Sequence, residues 1–344
     1  MSEQHLAPLP WQQSSWQRLI GQLNDNKLPH ALLFAGPKGV GKVHFADTFA
    51  RLALCLSPIN QVPCGSCKTC LLLKAGSHPD FFSIHPEDKS KVIKIDQVRQ
   101  LTDFVSKTPQ QGRRKVAIIE PAESLNINAA NALLKCLEEP AGDTLLLLVS
   151  HMPSILMATI RSRCQKVDFL IPPRVECLEW LTPLTVSHSA EYLLDCAGGA
   201  PLTARDLMGD ERLEQRTLFA QSLNAVGDHQ VSALEAAAKL QSGEPLPLVE
   251  ALIGWLQLSV KIPLGVQTPI DEQEQALVSK VVKVKPSMVF RLLDKLLLVK
   301  KQLLSGSNPN KQLLIEEMMM DWYALLRQVQ PVQQARHSLL NGLN

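Results

Sequence analysis

Three short, nearly unbroken apolar runs punctuate the first half of the chain: 31–35 (ALLFA), 115–119 (KVAII) and 145–149 (LLLLV). Runs this short and this apolar predict strands covered on both faces, the pattern of a parallel sheet between helices. Between them the spacing changes. Residues 42–55 read as a helix. In "NINAANALLKCLEEP", Ile127, Ala130, Leu134 and Leu137 recur at helical intervals until Pro140 ends the pattern. From about Pro172 no further strands are predicted. A short helical region containing "AGGAP" (197–201) runs to about Glu211, and the rest is helical with breaks at 242–247 and 305–310. Within it, 287–304 carries Leu292, Leu296, Val299 and Leu303 as one amphipathic stripe. The pattern predicts an α/β domain, a small helical domain and a helical C-terminal domain.

Composition narrows the partners. Of the 344 residues, 45% are hydrophobic and 20% charged, as in an ordinary globular protein. The net charge of +2 lacks the Lys/Arg excess of proteins that hold nucleic acid mainly by neutralising phosphates. The N-terminus has no charged-then-apolar signal segment, and the apolar runs are too short to cross a bilayer, so a cytoplasmic location without membrane contact is expected.

"GPKGVGKV" (36–43) follows the first strand and opens the first long helix. In that context it reads as a phosphate-binding loop, with Gly36, Gly39 and Gly41 freeing backbone amides and Lys42 adding a charge. An ATPase of this kind needs a hydroxyl after the lysine to hold magnesium, and here stands Val43. The strand "KVAII" should end on an acid pair for metal and water; it ends on Glu120 and Pro121. Glu120 keeps the reach to face a metal, but Pro121 offers nothing. Nucleotide binding stays open; hydrolysis is not expected.

Cys55, Cys64, Cys67 and Cys70 cluster in one stretch. In a cytosolic chain this spacing points to metal rather than disulfides, and four thiolates suit a closed, structural zinc site. The alternatives are an iron–sulfur cluster, whose usual run continues differently after C-x2-C-x2-C, and plain buried thiols. Cys136, Cys177 and Cys196 lie in apolar patterns and read as core residues. His78 and Asp80 read as hydrogen-bonding fasteners of a loop. The basic group Lys107, Arg113, Arg114 and Lys115 either approaches DNA or forms a solvated strand start. Met318, Met319 and Met320 suit adaptable helix packing.

Taken in order, "HALLFAGPKGVGK", the cysteine insertion, "HPDFF", "IKIDQVRQL", "NAANALLKCLEEP" and "RSRC" resemble the delta-prime clamp-loader subunits of bacterial DNA polymerase III, a family of AAA+ proteins. "NPNKQLLIEEMMM" resembles that family's C-terminal domain more loosely. The resemblance implies a RecA-like AAA+ domain with a zinc-binding insertion (1–168), a small helical lid (169–212) and an all-α collar for assembly (213–344). It implies a non-hydrolysing stator beside gamma/tau and delta subunits, in an assembly that loads the sliding clamp onto primed DNA. As a subunit of a DNA-directed DNA polymerase, the chain would carry no ATPase or polymerase activity of its own. Arg163, in Ser162-Arg163-Cys164, would be an arginine finger acting in trans on the neighbouring gamma/tau ATP site. The alternative is a motor subunit that binds and weakly hydrolyses ATP. In the lid stretch "GAPL", Leu202 stands where hydrolysing relatives carry a nucleotide-sensing arginine, with Arg205 one turn on; Ser150 matches the other sensor position only in being polar.

Overall fold

The computed structural model describes residues 6–87, 90–111, 114–140, 142–185, 188–209, 211–241, 243–266, 268–304 and 309–327. Arg113 and the break at 305–308 lie outside them. The described chain forms two compact units, residues 1–183 with 199–203, and 184–198 with 204–344.

In the first unit the elements run α1 (Gln13–Asn24), β1 (Ala31–Ala35), α2 (Lys42–Leu54), α3 (Lys68–Lys74), β2 (Phe81–Ile84), α4 (Ile95–Val105), β3 (Lys115–Ile119), α5 (Ile127–Glu138), β4 (Thr144–Ser150), α6 (Ala158–Arg161), β5 (Gln165–Asp168) and α7 (Arg174–Leu181). The five strands make one parallel sheet in the order β2-β3-β4-β1-β5, so β4 lies between the loop-bearing β1 and the acid-bearing β3. Alternation explains the solid apolar runs. Leu33, Ala117, Ile119, Leu146 and Leu148 face α4 and α5, whereas Leu32, Phe34, Val116, Ile118 and Leu147 face the aromatic cluster of Trp16, Phe45 and Phe49.

All three predicted strands are present, the third as Thr144–Ser150. β2 and β5, the sheet's edges, were not predicted. They are only partly covered, so neither carries a continuous apolar run. In α5 the stripe differs from the expected one. Ile127 is 73% exposed and Leu134 half-buried, while Ala129, Ala130, Leu133, Cys136 and Leu137 face the sheet. Asn126 caps the helix by accepting from the Ala129 amide at 2.8 Å, so Ile127 is its first residue and lies at the exposed end of the helix.

Lys115 is not a solvated or DNA-facing residue. It is 2% exposed, its ammonium lies 3.3 Å from the Asp80 carboxylate and 4.2 Å from the Phe104 ring centre. Asp80 also accepts from the Gln110 and Gln111 amides at 2.8 and 2.7 Å, and His78 Nδ1 accepts from the Asp80 amide. The two residues do fasten a loop, as expected. Arg114 is paired with Asp143.

Beyond α7 come α8 (Ala190–Cys196), α9 (Pro201–Asp206), α10 (Glu211–Gly227), α11 (Ala233–Ala238), α12 (Pro245–Lys261), α13 (Glu272–Val281), α14 (Pro286–Leu304) and α15 (Lys311–Arg327). The second unit's core gathers Phe219, Leu223, Leu252, Trp255, Leu256, Leu277, Leu296, Ile315, Met319 and Trp322. Leu292 and Leu296 of the predicted stripe are buried, with Val299 and Leu303 packed against that core. Met318 and Met319 are buried, but Met320 is exposed. Residues Pro245–Leu264 are long and apolar enough to cross a membrane by length and composition, which the reading of short runs missed; half of that window is buried, as in a core helix.

Glu274 is fully buried and receives Arg216 Nε at 2.5 Å and the Tyr192 hydroxyl at 3.4 Å, with the guanidinium stacked on Trp255 at 4.7 Å. Arg216→Ala would strand a buried carboxylate. We expect a loss of about 3–5 kcal/mol in denaturant unfolding, whereas Arg99→Ala, in an exposed pair with Asp96, should cost under about 1 kcal/mol.

Candidate functional site

The phosphate loop joins β1 to α2, with Gly41 as the N-cap of α2 in the left-handed region at φ 89°. Gly39 is at φ 81°. Torsion disfavours a side chain at both, and at Gly39 contact adds to it, since a Cβ there would stand 2.0 Å from Thr203 Oγ1; at Gly41 the nearest atom is the mobile end of Leu9, Cδ1 at 2.4 Å. The chain's own segments therefore pack onto the loop. Gln12 Nε2 donates to the Val40 and Gly41 carbonyls, Trp11 Nε1 donates to Val40, and the Leu202 amide donates to the Gly39 carbonyl at 2.9 Å. Gly36 donates its amide to the Ser150 carbonyl.

Lys42 folds back on the same loop. Its ammonium, 2% exposed as a residue, donates to the Gly36 and Pro37 carbonyls at 2.7 and 2.5 Å. Burial pulls its pKa down to about 8, against the pull of Glu123 and Glu120. Val43 follows at the start of α2, 41% exposed. An isopropyl group there has no lone pair for a metal.

At the carboxyl end of the sheet, Glu120 sits between two imidazoles, His151 Nε2 at 3.5 Å and His85 Nδ1 at 3.3 Å. Together they hold its carboxyl down at about 2, and Glu120 in turn raises His85 above its ordinary value. His85 also meets the Ser83 hydroxyl. Neither histidine stands out in the sequence, because residues 85, 120 and 151 converge only through the strand order. A proton titration of His85 should therefore fall to a lower pH in Glu120→Gln, which NMR can follow; an unmoved His85 would mean the pair does not form. Ser150 is fully buried with no partner for its hydroxyl. Arg205 is paired with its neighbour Asp206 at 2.7 Å.

The four cysteines converge as the spacing implied. Their sulfurs lie within 4.8 Å of one another, with Cys55–Cys64 at 3.6 Å, Cys55–Cys67 at 3.9 Å and Cys64–Cys70 at 4.0 Å. Zinc–thiolate bonds of about 2.3 Å in a tetrahedron set sulfur–sulfur edges of about 3.8 Å. The group therefore fits one tetrahedral ion; a multi-iron cluster would spread its thiolates over separate irons. The amides of Cys64 and Cys67 point at neighbouring sulfurs at 3.4 and 3.3 Å, a set of dipoles that favours thiolates. The Ser57 hydroxyl, chiefly, brings the Cys64 thiol down to about 5. Bound there, a metal would close the 55–70 loop and offer no vacant position for chemistry. Cys136 and Cys177 are buried, Cys196 partly so.

Arg163 follows α6 in a turn pinned on both sides, because Ile160 (0% exposed) and Cys164 (8%) are set in the core. Arg163 Nη2 lies 2.6 Å from Glu138 Oε1, and Nη1 donates to the Thr159 carbonyl at 3.0 Å.

The parallel order, the glycine loop between β1 and α2, and the cysteine insertion define an AAA+-type α/β module with a degenerate nucleotide loop, joined to a helical C-terminal part. The family described as DNA polymerase III, delta subunit matches residues 11–172, and its C-terminal counterpart matches 210–324. The chain is 41% identical to DNA polymerase III subunit delta' of Pseudomonas aeruginosa, over 92% of this chain and 97% of that one. With its Yersinia pestis counterpart the identity is 31%, over 92% and 96%. A DNA polymerase III gamma subunit-related protein of Thermotoga maritima aligns in structure at 18% identity over 90% of this chain and 99% of that one, with a TM-score of 0.41. The chain belongs to the DNA polymerase III subunit delta' family.

Proposed function

We propose that the chain is the non-hydrolysing stator of a clamp loader, lending Arg163 in trans to the ATP site of an adjacent gamma/tau subunit. Its further partners are delta and, through the assembly, the sliding clamp and primed DNA. The observation that carries the reading is the division of parts. The loop has its lysine but no metal-holding hydroxyl at Val43, and Glu120 is engaged by His85 and His151. The arginine on a pinned turn, by contrast, has no role in the chain's own loop. A phosphoryl-transfer site is assembled from a metal, a water-orienting group and a cation at the γ-phosphate. This chain retains the cation and lacks the means to use it on its own nucleotide.

In the same reading Cys55, Cys64, Cys67 and Cys70 hold one zinc that keeps the insertion folded, residues 169–212 form the lid and 213–344 the collar. Gly36, Gly39, Gly41 and Lys42 keep the shape of a nucleotide loop that would receive ATP without hydrolysing it.

The test is turnover with magnesium and ATP, by the isolated chain and by the complex reconstituted with gamma/tau and delta. The isolated chain should stay at background, and clamp- and DNA-stimulated turnover should need the chain in the complex. Turnover by the isolated chain that is abolished in Lys42→Ala would instead establish a motor subunit.

A further inference from the structure

The guanidinium of Arg163 does not hang free in solvent. Glu138, the last residue of α5, receives Nη2 at 2.6 Å, and the Thr159 carbonyl receives Nη1 at 3.0 Å. The two contacts fall on the two outer nitrogens of a planar fork, so together they fix its plane as well as its position. Of the five N–H groups, a third lies 3.5 Å from Ser162 Oγ and two remain for an incoming anion. The Glu138 and Arg163 side chains are 48% and 35% exposed, so their pair stands at the surface, where a neighbouring subunit's nucleotide can reach the arginine.

Helix stability does not explain this carboxylate. A negative charge in the last turn faces the negative end of the helix dipole and is mildly unfavourable there. The helix's own basic residue in that turn is Lys135, yet it is Arg163, 25 residues away in sequence and on another element, that Glu138 meets.

We propose that Glu138 is the positioning residue of the finger, holding the Arg163 fork in the orientation in which it meets the neighbouring subunit's γ-phosphate. The proposal rests on the reading of Arg163 as a finger. Glu138 touches no nucleotide itself and acts by sparing the arginine part of its conformational search. An exposed ion pair biases such an equilibrium by at most about fivefold, which bounds the effect.

The test is made in the complex reconstituted with gamma/tau and delta, measuring ATP turnover stimulated by clamp and primed DNA. Glu138→Ala should lower the Arg163-dependent part of kcat by about three- to fivefold. KM for ATP should not change. Glu138→Gln, which still accepts a hydrogen bond, should be milder. Neither variant should lower the thermal midpoint of the isolated chain, since the charge does not favour the helix end. In an Arg163→Ala background, Glu138→Ala should have no further effect.

A loss of equal size in both backgrounds would make the role structural and overturn the proposal. So would an unchanged kcat in Glu138→Ala, and so would a rise, which would mean that the carboxylate restrains the finger. Arg163→Ala alone reports on the finger reading. If it leaves turnover intact, that reading fails and the Glu138 proposal with it; if it lowers turnover while Glu138→Ala does not, only the Glu138 proposal fails.

Discussion

Arg163→Ala should leave the chain folded and assembled, yet lower clamp- and DNA-stimulated ATP turnover by its partners. The side chain is partly exposed and meets Glu138, the Thr159 carbonyl and, at 3.5 Å, Ser162 Oγ. Its removal costs the core nothing, because Ile160 and Cys164 hold the turn on either side. Stability should change by less than about 0.5 kcal/mol. Fingers in comparable phosphoryl-transfer sites contribute about a thousandfold or more at their own site. On the proposed reading the complex as a whole should lose less, because only the ATP site beside this chain would lose its arginine. Arg163→Lys should rescue poorly, because an ammonium cannot reproduce the planar fork. Arg161→Ala, two residues away on the exposed end of α6, is the control and should be mild. Equal stimulated turnover in wild type and Arg163→Ala complexes would remove Arg163 from the reaction.

The second large effect is expected at the cysteines. Metal analysis should find about one zinc per chain, held in a colourless protein. Structural zinc binds with about 10–16 kcal/mol at neutral pH, and that free energy becomes folding free energy for the segment it closes. Cys67→Ser should therefore empty the site and release residues 55–74 to rapid hydrogen exchange. The sheet should stay largely protected, because Leu32, Phe34, Val116 and Leu147 share their core with Trp16, Phe45 and Phe49, to which the insertion adds Leu73 and, partly buried, Val62. Acid should act like the mutation, since protonation competes with metal for every thiolate. A brown protein with bound iron would overturn the zinc assignment. An unchanged exchange pattern after metal loss would show that the insertion folds without it.

Several features were legible from residues alone, for reasons that are local. Strands β1, β3 and β4 are covered on both faces, so every position must be apolar and the run is visible without a partner. The glycine loop is legible because its torsions exclude other residues, and the cysteines because four ligands on a short segment have few other uses. β2 and β5 were missed because an edge strand shows one covered face and a mixed sequence. Ile127 fits the helical spacing, yet as the first residue after the Asn126 cap it stands at the helix end and is exposed. Lys115 was read as a surface cation because nothing near it in sequence reveals Asp80 and Phe104.

Residue order and type are enough to give the α/β order, the helical second half, the family, the four clustered thiols and the missing magnesium hydroxyl. Each depends on residue type and spacing within one segment. What the charged groups do follows from the packing in three dimensions. It put His85 and His151 on either side of Glu120, Asp80 against Lys115, Glu274 beneath Arg216, and Glu138 beside Arg163. The members of these pairs stand from 25 to 58 residues apart in sequence. An ion pair leaves no periodic trace along the chain, and only the strand order and helix packing bring its two ends within bonding distance.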